Sequence, residues 1–111
     1  MPAVDVVNAI VDLGSGLVIE IEREYGISHG DFGRIFPRIE PKTRQTADRR
    51  FQLLHADGRS LQIDLAIEQA RSIASLKIPF TQITFRFVGW SAVQRTEFFK
   101  NFDQSFQKGG G

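Results

Sequence analysis

The chain contains no cysteine, which removes disulfide frameworks, thiolate metal sites and cysteine nucleophiles from consideration together. Histidine is scarce at two residues, and tryptophan and tyrosine occur once each. No apolar run approaches the ~18 residues that a membrane span requires. The N-terminus, Met1-Pro2-Ala3-Val4-Asp5, has no basic stretch leading into an apolar one, so it does not read as a secretory signal. These absences predict a soluble, cytoplasmic protein.

At 111 residues, with 41% hydrophobic and 24% charged side chains, the composition is that of one ordinary globular domain with one core. The abundant residue is phenylalanine, ten in all. These rings carry no polar tip and must be buried in a core or an interface. The net charge of +1 conceals an uneven distribution. Residues 1–31 hold six acids and one base, residues 34–50 hold six bases and two acids, and the rest holds seven bases and five acids. Such asymmetry favours head-to-tail contacts between copies or an anionic ligand near the middle segment, unless the two stretches fold against each other.

Periodicity supplies the elements. Val7, Ile10, Leu13, Leu17 and Ile21 fit a helical face, and Leu17, Ile19 and Ile21 fit an alternating strand. Gly14 and Gly16 favour two short segments joined by a turn, the second a strand, because two glycines inside a helix cost about 2 kcal/mol. Gly26, Gly30, Gly33, Pro37 and Pro41 predict loops, with at most one short element around Phe32 to Phe36. Asp57-Gly58 between alternating apolar residues predicts a β-hairpin. Residues 66–76 suit either a helix or a hairpin arm running on past Leu65, and Pro79 is expected to end that element. Ile83, Phe85 and Phe87 alternate as a strand. Ser91 and Gln94 form a capping box that opens a helix to about residue 107, with a stop at Gly109 and a terminal glycine tail over 109–111. Phe98, Phe99, Phe102 and Phe106 share one stripe of that helix, which suits closure over the protein's own sheet better than docking to a partner. The expected fold is α+β, with strands near 17–22, 50–55, 60–66 and 82–88 in a small antiparallel, barrel-like sheet closed by the C-terminal amphipathic helix.

Few patterns carry chemistry. His29-x-Asp31 and His55-x-Asp57 would make a metal site only if both pairs converged, and the simpler reading gives Asp57 to the hairpin turn and His29 to a glycine-rich loop. Gly14-Ser15-Gly16 lacks the spacing of a nucleophile elbow. The glycines at 26, 30 and 33 match neither a phosphate-binding loop nor a dinucleotide fingerprint. No catalytic constellation, metal site or cofactor is expected. The basic residues Arg34, Arg38, Lys42, Arg44, Arg49 and Arg50 stand out, because guanidinium forks pair bidentately with phosphate and carboxylate. Phe32, Phe36 and Phe51 are the only nearby aromatics for stacking a nucleic-acid base.

The segment from Phe85 to Phe102, reading Phe-Arg-Phe-Val-Gly-Trp-Ser and running into an amphipathic helix, resembles the closing strand and helix of PilZ domains. The Asp57-Gly58-Arg59-Ser60-Leu61 hairpin suits the same family, and residues 10–17 are reminiscent of its Asp-x-Ser-x-x-Gly segment. The resemblance implies a β-barrel that reads cyclic diguanylate through an Arg-x-x-x-Arg motif placed ahead of that segment. Here Asp12 and Ser15 are one residue too far apart, Gly16 follows too soon, and Arg34 and Arg38 come after the segment. The expectation is a degenerate, non-enzymatic regulatory or adaptor module that binds a protein partner or an anionic nucleotide. Arg34, Arg38, Arg44, Arg49 and Arg50 are its candidate contacts, homo-oligomerisation is compatible with it, and a basic nucleic-acid-binding module is the alternative.

Overall fold

The computed structural model describes the backbone of residues 6–12 and 17–109, and side chains from 18 to 106. The element order is β1 (Val6–Asp12), β2 (Leu17–Tyr25), α1 (His29–Ile39), β3 (Arg44–Ala47), β4 (Arg50–Leu54), β5 (Ser60–Leu65), β6 (Gln69–Ile73), β7 (Leu76–Val88) and α2 (Ala92–Gly109). Six strands form an antiparallel sheet in the order β1-β2-β7-β5-β4-β3, and β6 pairs with the first part of β7. The sheet is open: β1 and β3 are its two edges. The expected α+β class, antiparallel sheet and C-terminal helix are present, whereas closure into a barrel is not. The turn expected at Gly14-Ser15-Gly16 and the last two glycines of the tail lie outside the described residues.

Strand alternation sorts side chains between two faces. Ile19 and Ile21, Phe51 and Leu53, Leu61, Ile63 and Leu65, and Ile83, Phe85 and Phe87 point into the core, with polar residues between them. Both helices cover that face. The Ser91 N–H donates to Gln94 Oε1 at 2.8 Å and the Gln94 N–H to Ser91 Oγ at 3.2 Å, the reciprocal pair expected of a capping box. The phenylalanine stripe of α2 is buried against the sheet and α1, as a self-closing helix requires.

The predicted loop over residues 26–41 is instead an 11-residue helix. Ser28 caps it by accepting from the Asp31 N–H at 3.0 Å. Phe32, Ile35 and Phe36 are buried at helical spacing, and Ile39 packs beside the core. Counting helix breakers underrated this stripe. Gly33 is on the exposed side and Pro37 lies near the end, where burial of two phenylalanines outweighs the loss of intrinsic helix propensity.

The hairpin at Asp57-Gly58 forms as expected, with Gly58 at φ +92° and the His55 N–H donating to the Arg59 carbonyl at 2.9 Å. Residues 69–80 resolve the ambiguity of the next segment in favour of the arm. Between Leu65↔Ile83 and Gln69↔Phe80 the register slips by one residue, so β6 carries on the line of β5 along β7. Pro79 does not end the element. It sits inside β7, in a stretch that pairs with β6 and with no other described strand, and a strand with one open side tolerates a missing N–H.

Two stability measurements test this packing. Gly33→Ala adds a methyl that meets nothing within 4 Å, and it should raise unfolding free energy by about 1 kcal/mol in chemical denaturation. Phe102→Ala, at the centre of the aromatic cluster, should lower it by about 3–5 kcal/mol.

A basic edge and its flanking polar clusters

Apart from Asp31 and Arg34, which pair, the acidic residues of the first segment and the basic residues of the second, where their side chains are described, do not meet on folding. Glu20, Glu22 and Glu24 lie on β2, next to one edge of the sheet, while Arg44 lies on β3 at the other, with β7, β5 and β4 between them. Each candidate arginine can be placed within this frame. Arg34 is on the exposed side of α1 and donates to Asp31 one turn earlier at 2.9 Å. Arg38 is exposed in the last turn of α1, where a cation also favours the negative end of the helix dipole. Arg44 begins β3 opposite Gln52. Arg49 lies in the β3–β4 turn, its carbonyl accepting from the Leu65 N–H at 2.8 Å. Arg50 pairs with its cross-strand neighbour Asp64 at 2.7 Å.

Among the described residues, Arg38, Lys42, Arg44 and Arg49 are exposed cations without an ion pair. Arg34 and Arg50 are each paired with an acid. The five predicted contacts do not converge on one pocket. Arg49 and Arg50 line an open cleft of about 610 Å³ with Asp48 and Asp64. Arg44 lines a second, of about 510 Å³, with Lys42, Thr43, Gln52 and Leu54. Arg34 and Arg38 line neither. Phe32, Phe36 and Phe51 are all buried, so none of them offers a face for stacking a base.

A second cluster gathers where the β4–β5 hairpin meets the start of α2. His55 packs edge-on to Trp90, with ring centroids 5.1 Å apart, and the Arg59 guanidinium lies 4.6 Å from the centre of the same indole. Trp90 donates to the Ser60 carbonyl at 2.8 Å. Arg59 is held by Asp57 at 2.8 Å. His55 Nε2 is buried with no hydrogen-bond partner among the described residues. Burial, reinforced by the positive charges of Arg59 and Lys42, holds the imidazole below its ordinary pKa, against an opposing pull from Asp57. Burial also raises Glu40, which caps the end of α1 and feels Arg59 as an opposing charge.

Sequence reasoning missed a third cluster. Arg23 donates to Tyr25 Oη at 2.9 Å and to the Asp103 carboxylate at 3.2 Å, Tyr25 donates to Asp103 Oδ1 at 2.8 Å, and the Arg23 guanidinium lies 3.7 Å from the centre of the Phe99 ring. Burial is the largest cause of a raised Tyr25 pKa. Arg23 and Tyr25 share one side of β2, and Asp103 follows Phe102 on α2, so the cluster joins helix to sheet. The alternation in Arg23-Glu24-Tyr25 was the available signal.

The two His-x-Asp pairs sit at opposite ends of β5. His29 Nε2 donates to the Ala66 carbonyl at 2.7 Å, whereas His55 lies beside the Arg59–Ser60 end. Among the described residues, no group of three or more histidines and acids is placed to hold a metal ion.

A base whose folded pKa is depressed contributes stability fully above its unfolded value, here near 6.5, and loses it as pH falls through the folded value. Unfolding free energy should therefore decline on acidification below about 6.5. His55→Gln should flatten that decline, which the difference between the two proteins' pH–stability curves isolates from the opposite trend of Glu40. Parallel curves would remove His55 as the cause.

No family model, no curated protein and no solved structure matches the chain.

Proposed function

We propose that the protein is a non-enzymatic regulatory or adaptor module, of the degenerate PilZ-like kind its closing strand and helix resemble, and that it takes an acidic protein surface along its β3 edge. The observation that carries this reading is a set of exposed cations without ion pairs among the described residues: Arg44 on β3, Lys42 just before it, Arg49 in the turn just after it, and Arg38 at the end of α1. An edge strand offers unsatisfied N–H and C=O groups to an added strand, and its basic side chains select for an acidic one. The clefts along this edge are open and separate, which suits an extended partner better than an enclosed cyclic dinucleotide. The PilZ-like reading carries a further expectation, closure of the six strands into a barrel in the working state.

Basic residues on an edge strand also deter aggregation, and this is the structural alternative. The two separate in a binding experiment. Polyglutamate, titrated by calorimetry at low salt, should bind and should weaken as salt rises. The charge reversal Arg44→Glu with Arg49→Glu should reduce affinity at least tenfold while shifting stability by no more than about 0.5 kcal/mol, as exposed substitutions do. Cyclic diguanylate at high micromolar concentration should give no heat. Equal binding by parent and variant would overturn the assignment, and tighter binding of a 20-base-pair DNA duplex than of polyglutamate would favour the nucleic-acid reading.

A further inference from the structure

The β6–β7 arm has no role in the core, and its chemistry is distinct from that of the basic edge. Residues 66–78 are all exposed. The register places Ile73 opposite Leu76, Arg71 opposite Ile78 and Gln69 opposite Phe80, so these six share one face, while Ala70, Ser72, Lys77 and Pro79 share the other. The first face is apolar toward its tip: Ile73, Leu76 and Ile78 are 56%, 64% and 39% exposed. At its root, the Arg71 guanidinium lies 4.2 Å from the centre of the Phe80 ring and pairs with Glu24 at 2.7 Å. Residues 69–80 contain two bases, Arg71 and Lys77, and no acid. Of the acids near the root, Glu24 is paired with Arg71, and Glu68 accepts from the His29 N–H at 2.6 Å.

We infer that the arm is a membrane-surface probe, whose tip residues Ile73 and Leu76 enter the headgroup region of an anionic bilayer while Lys77, and Arg71 behind it, stay at the level of the lipid phosphates. Two arguments select lipid over protein as the occupant. The first is area: three partly exposed side chains at the end of a ribbon offer a few hundred Å², short of the roughly 800 Å² that each partner contributes to a standard protein interface. Insertion into a fluid interface demands no complementary surface. The second is charge: residues 69–80 hold no acid, Lys77 stands beside the apolar tip, and a cation next to an apolar tip is attracted to an anionic leaflet. A second copy is a poorer fit, since antiparallel pairing of two β6 strands about their centre would set one Arg71 against the other. Depth is limited as well. The open edges of the ribbon carry backbone N–H and C=O groups that cannot enter hydrocarbon, so only the tip penetrates.

Co-sedimentation of the intact chain with vesicles tests the inference. The protein should pellet with phosphatidylcholine vesicles containing 30% phosphatidylserine and remain in the supernatant with phosphatidylcholine alone. Ile73→Thr with Leu76→Thr, which keeps strand propensity and adds no charge, should lower the partition coefficient at least tenfold with little change in melting temperature, because both side chains are more than half exposed. Lys77→Gln should lower it several-fold at low salt only. The inference is overturned if the parent ignores anionic vesicles, if it binds neutral ones equally well, or if the tip variant binds like the parent. A dimer in sedimentation velocity that the tip variant dissociates would also overturn it, by showing that a second copy covers the face.

Discussion

The contact between Phe102 and Phe85 is the junction on which the remaining structure depends. Their rings meet edge to face with centroids 5.3 Å apart, joining α2 to the central strand β7. Phe102 also touches Tyr25 of β2, Phe32 and Phe36 of α1, and Phe98 and Phe106 of its own helix. One fully buried ring thus holds two helices and two strands in register. Such quadrupolar contacts favour particular angles as well as proximity. They fix the pose of α2 more tightly than aliphatic burial would, and with it the corner where Trp90, His55 and Arg59 meet.

This aromatic core explains why the charges sit where they do. With the inner face of the sheet given over to rings and branched aliphatics, every arginine except those with a specific buried partner must go to the outer face, an edge or a turn. Arg23 is the exception, and it enters only with Asp103 and Tyr25 to satisfy its donors and Phe99 beneath it. The acidic β2 and basic β3 end up three strands apart, and the segregation visible along the chain becomes a gradient across the sheet. Arg86 of β7, 3.7 Å from Glu20, begins the transition from one sign to the other.

The sequence exposed those features whose signals are local. The Asp57-Gly58 turn, the Ser91–Gln94 cap and the four-phenylalanine stripe are each legible within a few residues, because turn geometry, capping and helical burial act over that range. What stayed hidden depended on distant partners. Helix α1 contains Gly33 and Pro37, and only the waiting surfaces of Phe98, Phe102 and Phe106 make a helix the better solution there. Pro79 reads as a terminator until β6 is known to pair on one side of it and no described strand on the other. The candidate arginines were legible as a cluster in sequence but not in space. A helix, an edge strand and a turn carry them to three places, and Asp31 and Asp64 neutralise two of them.

The arm sharpens the distinction between residues that fold the protein and residues that remain for something else. A two-stranded ribbon is marginal by itself in water, and Ala74 adds a cost at its tip, where a φ of +54° puts an alanine in a region that favours glycine. Neither feature helps the core, and a shorter connection from Leu65 to Ile83 would close the same hairpin without them. The root, by contrast, is fastened: Arg71 reaches Glu24, Thr81 donates to the Ile27 carbonyl at 2.9 Å, and His29 bonds to Ala66. A projection anchored at its base and apolar at its end begins β7, and β7 is the strand against which Phe102 packs. The arm and the aromatic junction are therefore carried by one and the same strand.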